Sequence, residues 1–207
     1  FIYNYILNIV IALILIPTIG FLITNIRFWR KPVRKVNAKN NEIVSPADGN
    51  IIYIKKIEGQ TIPVSTKQNR TSYLKELSET SLIKNPYWLI GINMTPFDVH
   101  RNCAPVSGTV VLNTHYNGKF LSLKSPRAVD ENERNTIVIQ KNDEQFGIIQ
   151  IASRLVRRID SYIKEGDEIE QGDWIGMIRF GSQVDLLLPD NYKVNINRML
   201  SESLQTI

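Results

Sequence analysis

The chain is 207 residues long, 43% hydrophobic and 22% charged, a composition that suits one folded domain with a short appendage and excludes a disordered chain. A single cysteine, Cys103, excludes an internal disulfide framework or cysteine-rich zinc site and fits a reducing compartment, and two histidines, His100 and His115, keep any chemistry sparse in imidazole. The net charge is +5, of which Arg27, Arg30, Lys31, Arg34, Lys35 and Lys39 supply six positive charges with no acid in 27–39; the remainder is near −1, which excludes a globally basic nucleic-acid binder.

Residues 1–26 carry no charge, and Ile6 to Ile23 is dominated by Ile, Leu and Val. At about 1.5 Å of rise per residue, a little over twenty residues cross a hydrocarbon core of about 30 Å. Pro17 and Gly20 are compatible with a membrane helix. A signal peptide would place its positive charges before the apolar run and a small-residue cleavage site after it; here the charges follow. The expected organisation is a transmembrane helix over 1–26, a basic juxtamembrane collar over 27–40 and one globular domain over 41–207. Basic flanks favour the cytoplasmic side, so the domain is expected on the cytoplasmic face of the cell (inner) membrane, with Trp29 and the cations at the headgroups. The start at Phe1, without methionine, reads as an amino terminus that continues upstream.

Within the domain, Ile43-Val44 and Ile51 to Ile54 read as strand around a turn, Ser45-Pro46-Ala47-Asp48-Gly49, where Asp-Gly after Pro is turn chemistry. Residues 60–86 are polar, with Pro63, Pro86 and alternating charges, and read as a loop. Trp88 to Met94 reads as a buried strand leading into a loop, Thr95 to Asn102, that carries His100. Thr109 to His115 is a strand, Asn117-Gly118 predicts a hairpin into Lys119 to Leu123, and His115 is structural or exposed. Thr136 to Gln140 and Phe146 to Ile151 read as strands about an Asn142-Asp143-Glu144 turn. Leu155 to Ile159 is ambiguous between strand and short helix, and as a strand would point Arg157 and Arg158 to opposite faces.

Glu165 to Gly176 holds two Gly-Asp pairs, a rhythm of short β segments that resembles the barrel-sandwich of lipoyl and biotinyl carriers, although no lysine sits at a hairpin tip for attachment. Gly181-Ser182 falls between strand-like Trp174 to Phe180 and Val184 to Leu188; taken locally, it is an ordinary turn. The fold class expected is mainly β, a barrel-sandwich-like single domain with an N-terminal transmembrane helix.

Three segments, taken together, resemble the phosphatidylserine decarboxylase family: Val44-Ser45-Pro46-Ala47-Asp48-Gly49, Asp98-Val99-His100-Arg101-Asn102 with Pro105 to Gly108, and Arg179-Phe180-Gly181-Ser182-Gln183-Val184-Asp185. Glu131 to Thr136, and Gln150-Ile151-Ala152 with Arg157-Arg158-Ile159, look like further signatures, in family order across roughly residues 30 to 190. The compact Gly-Ser motif resembles the short, membrane-attached branch. The resemblance implies a proenzyme that cuts itself between Gly181 and Ser182, with Ser182 as nucleophile, His100 as its base and Asp48 orienting the histidine, the logic of a serine-protease triad. Pieces 1–181 and 182–207 would stay associated, and Ser182 would become a pyruvoyl group that forms a Schiff base with the substrate amine. The resemblance further implies phosphatidylserine as substrate, phosphatidylethanolamine and CO2 as products, no metal, no pyridoxal phosphate and no nucleic acid; a homo-oligomer stays open. Many longer members carry a second histidine where Phe97 stands, Gln183 replaces a common arginine, and Ser153 a common glycine. Three alternatives are an archaetidylserine-type ether-lipid decarboxylase, a non-enzymatic membrane-anchored binding module, and a zinc peptidase, for which two histidines are too few in ligand-like context.

Overall fold

In the computed structural model, residues 2–33, 36, 42–58, 61–64, 70–73, 87–119, 121–123, 125, 127–153, 158–179 and 182–193 are described. The structure begins with one long helix, α1 (Ile2–Trp29), apolar on all sides. It is long and apolar enough to cross a membrane, and Phe28 is its one buried side chain. Arg27, Phe28 and Trp29 of the basic segment belong to this helix.

The rest is mainly β. A seven-stranded antiparallel sheet has the order β1 (Asn50–Ile57), β4 (Tyr87–Met94), β12 (Ser182–Pro189), β8 (Glu144–Ala152), β7 (Arg134–Lys141), β6 (Gly108–Tyr116), β10 (Glu168–Ile169). A smaller sheet, β5 (Arg101–Cys103), β11 (Trp174–Ile178) and β9 (Ile159–Ser161), is also antiparallel. Side chains alternate across the large sheet. Ile90, Ile92, Val184, Leu186, Phe146 and Ile148 pack with Ile175 and Ile178 of the small sheet, while Leu89, Ile149 and Leu187 form a second cluster on the other face. Because β12 is covered on both faces, Leu186 to Leu188 form an unbroken apolar run, and the strand's one acid, Asp185, stands out.

Three local expectations need correction. Within 60–86, read as loop, β2 (Thr61–Val64) pairs with β3 (Arg70–Tyr73). Branched and aromatic residues suit a ribbon, and Pro63 is tolerated because each strand of a two-stranded ribbon has an open edge. The Asn117-Gly118 hairpin does not form: β6 pairs with β7, and Lys119 makes an isolated parallel bridge to Asn132. Gly118 instead lies against the backbone of Asn132 and Glu133, where a Cβ would collide, so close approach explains the glycine. Arg101 and Asn102, placed in the histidine loop, open strand β5, paired with β11. A short helix, α2 (Ala128–Glu131), precedes β7. Leu155 to Arg157, Phe180 and Gly181 lie outside the described residues.

Candidate active site

The segment holding Asp48 is pinned to β5 by its backbone. Val44 N–H donates to the Pro105 carbonyl at 3.1 Å, and Cys103 N–H donates to the Pro46 carbonyl at 2.9 Å. Gly49 follows with φ 146°, a conformation that side chains rarely adopt, and a Cβ there would collide with the Asn93 carbonyl. The turn that fixes Asp48 therefore depends on glycine.

His100 lies at the end of the loop between β4 and β5. Asp98 braces that loop by accepting from the Thr95 N–H at 2.6 Å and the Thr95 hydroxyl at 2.8 Å. The imidazole is fully buried, and its Nδ1 lies 3.0 Å from the Asp98 carbonyl oxygen. A carbonyl only accepts, so Nδ1 carries the proton and Nε2 the free electron pair. Nε2 is buried and has no hydrogen-bond partner among the described residues. Burial is the main force on its titration and holds the imidazole below its ordinary 6.5; Arg30 adds to this, while the Asp98 carbonyl and the charges of Asp98 and Asp48 oppose it. At neutral pH the ring is an uncharged base. Asp48 thus acts on His100 through its charge, and the hydrogen bond recorded at Nδ1 belongs to Asp98.

Position 182 opens β12, opposite Met94 of β4 and Ala152 of β8. Both partners are held by residues of the segments Asp98 to Asn102 and Glu131 to Thr136. Asn132 Nδ2 donates to the Ala152 carbonyl at 2.8 Å, and Ala152 N–H donates to the Glu133 carbonyl at 2.9 Å. Asn102 Nδ2 approaches Met94 Sδ at 3.8 Å. From Asn102 a buried amide chain crosses between the sheets: Gln150 donates to it at 2.8 Å, and Asn135 donates to Gln150 at 3.2 Å. The chain ahead of position 182 is tied to the histidine, since Ile178 N–H donates to the His100 carbonyl at 3.2 Å. The fold thus brings the Asp48 turn, the His100 loop and the start of β12 to one end of the sheet. His115 lies elsewhere, part-exposed, with Nε2 3.3 Å from Glu133.

Two sets of contacts were not read from the sequence. Tyr53 Oη donates to Asp185 Oδ2 at 2.7 Å, and Gln183 Nε2 contacts Tyr53 Oη and Asp185 Oδ1, each at 2.8 Å. Tyr53 reaches across β4 at Gly91, where any Cβ would strike its ring. Burial raises the Asp185 carboxyl to about 6, opposed by the hydrogen bonds from Gln183 and Tyr53 and the charge of Lys55. An acid inside an apolar strand was the available signal, since a buried carboxyl needs partners. The second set is at the helix end, where the Phe28 ring lies on the His100 imidazole.

Among the described residues no three His, Cys, Asp or Glu side chains group as a cation cage would require. The chain matches the family described as phosphatidylserine decarboxylase over residues 21–205. It is 38% identical over 184 residues to the "Putative archaetidylserine decarboxylase proenzyme" of Methanothermobacter thermautotrophicus, covering 89% of this chain and 77% of the relative. It is 36% identical over 187 residues to the phosphatidylserine decarboxylase proenzyme of Cytophaga hutchinsonii, covering 90% and 76%.

Proposed function

The chain belongs to the phosphatidylserine decarboxylase family, and from that premise we propose that it is a self-processing, pyruvoyl-dependent decarboxylase of a serine-headgroup phospholipid. The observation that carries this reading is His100: buried, with Nδ1 on a carbonyl and Nε2 without a partner among the described residues, in the loop that follows β4, whose last residue pairs with position 182.

In the precursor, His100 Nε2 takes the Ser182 hydroxyl proton as the oxygen attacks the Gly181 carbonyl carbon. The peptide C–N bond breaks as the ester C–O bond forms, and the imidazolium returns the proton to the departing nitrogen, which leaves as an amine. Removal of the Ser182 Cα proton then expels the Gly181 carboxylate and leaves dehydroalanine. Tautomerisation and addition of water release ammonia and leave a pyruvoyl group on residue 182. That group supplies a ketone for a primary amine and an electron sink for the pair left by departing CO2. The residues present fit it: a neutral buried imidazole is suited to move protons at position 182, and Asp48 stabilises the imidazolium each time it forms. The same imidazole is the group we assign to reprotonation, since Phe97 cannot serve.

We place residues 1–26 in the bilayer, residues 27–40 at its surface and the domain 41–207 on the cytoplasmic face of the cell membrane, because the cations follow the apolar run. The substrate is then a lipid of that membrane. Both relatives' names share the serine headgroup, so the lipid backbone is settled by assaying vesicles of phosphatidylserine and of archaetidylserine side by side. The test of the reading is denaturing mass spectrometry: two chains meeting at 181/182, with residue 182 blocked to Edman sequencing, and one uncut, inactive chain for Ser182→Ala. Lipid turnover by a wholly uncut chain would overturn it.

A further inference from the structure

The helix end is seated in the site by three separate contacts. Phe28, fully buried, lies on the fully buried His100, with ring centroids 4.2 Å apart and planes at 37°. Trp29 meets Phe28 edge-on at 5.2 Å, and Arg179 stacks on Trp29 at 5.5 Å while Nη2 lies 2.7 Å from Asp160 Oδ2. Arg30 Nη1 donates to the Phe97 carbonyl at 3.1 Å, within the loop that carries His100. Arg179 also stands three residues before Ser182. The helix therefore grips both sides of the site.

A membrane span needs only apolar length, and α1 has it to spare. Its 28 residues reach about 42 Å at 1.5 Å per residue, against a core of about 30 Å. The last turns emerge at the headgroups, and one aromatic ring there is buried against an imidazole instead of in lipid. Nothing in anchoring calls for that. Placing an imidazole does, because a ring held by one hydrogen bond at Nδ1 still pivots about it, and a flat face removes that freedom.

We propose that Phe28 is a positioning residue for His100, closing over the imidazole so that the base is aligned only when the end of the membrane helix is seated on the domain. This rests on the reading of His100 as the base of self-cleavage. The contact also excludes water from the ring, in line with the lowered titration of His100. The charged groups that face the imidazole are Asp48 from the turn before β1, Asp98 from its own loop and Arg30 from the helix end.

The contact shown for Phe28 within the site is with the imidazole, so its loss is expected to act on rates and on imidazole titration. The test uses the full-length chain in phospholipid nanodiscs. In a Ser182→Ala, His115→Gln background, which stays uncut and has one imidazole, NMR follows the titration of His100. Phe28→Ala and Phe28→Leu, the second keeping apolar bulk without a flat face, are each expected to raise the midpoint toward 6.5. With Ser182 and His115 restored, the same variants are expected to slow self-cleavage by about ten- to a hundred-fold. They are also expected to lower kcat with little change in KM.

An unmoved midpoint overturns the proposal, even if cleavage slows. So does a moved midpoint with cleavage and kcat unchanged. If the parent chain itself neither cuts nor turns over lipid, the proposed function fails; that outcome is distinguished because the titration still reports whether Phe28 governs the His100 ring.

Discussion

One nitrogen of His100 is held and the other has no partner among the described residues, and this asymmetry is what makes a lone imidazole useful. Burial disfavours its charged form, so the base is present above a midpoint lying below 6.5. Self-cleavage is therefore expected to rise with pH through that midpoint and level off near neutrality; a stopped-flow or quench series from pH 4.5 to 8 reads it. The sign for stability agrees. Below 6.5 the unfolded chain binds a proton that the folded chain resists, so this group's contribution falls as the medium is acidified. Asp185 runs the other way, because its carboxyl is raised from 3.8 to about 6. The folded state holds that proton more tightly, so this group's contribution to stability is fully present below 3.8 and is lost as pH rises through about 6. Tyr53→Phe is expected to cost about 1–3 kcal/mol at pH 7, by leaving a charged buried oxygen unpaired, and less at pH 5, by urea unfolding. Asp48 and His100 were legible because each sits in a compact motif. The Tyr53–Asp185 pair was not: its members lie 132 residues apart and meet only through sheet order. Phe28 was hidden for a different reason, since one more aromatic at the end of an apolar run carries no mark of its own.

At the level of elements, the turn before β1 and the opening of β12 decide whether the site exists. Pro46, Asp48 and Gly49 announced a turn, and a turn is what precedes β1. What the local chemistry could not disclose is why the glycine is required: it is the Asn93 carbonyl of β4, not the turn alone, that leaves no room for a Cβ. Gly49→Ala is expected to destabilise the protein by about 1–3 kcal/mol, because alanine is forced into a glycine-only backbone region, and to slow self-cleavage by shifting Asp48. Thermal melts and the cleaved fraction over time check the two effects separately. The same limit explains Asn117-Gly118. A good hairpin dipeptide gave way to long-range pairing of β6 with β7, eight residues of which are zipped to β8 as well. Strands were readable where they were buried and apolar; their partners were not, because antiparallel order across seven strands leaves no trace in any one of them.

For the whole molecule, the helix end, the histidine loop and the small sheet meet on one side. Trp29, Phe97 and Tyr162 are exposed there, aromatics of the kind that lie at headgroup level. On the proposed reading that side faces the lipid, and the rest of the sheet stands away from it. β12 runs through the middle, with eight backbone partners on β4 and six on β8. A cut at 181/182 frees the first residue of this strand and none of its neighbours. The two pieces are therefore expected to migrate together on gel filtration and to part only in the urea range that melts the whole sheet; separation in native buffer would contradict this. There is a consequence for the lifetime of the molecule. An enzyme with a diffusible coenzyme replaces a spoiled one by exchange, and an enzyme with a loosely held peptide could trade it for a fresh copy. A group borne on a strand locked between two others can be neither swapped nor renewed. On the proposed reading each chain is charged once, at its own birth, and when that one terminus is chemically lost the cell must synthesise the whole protein again.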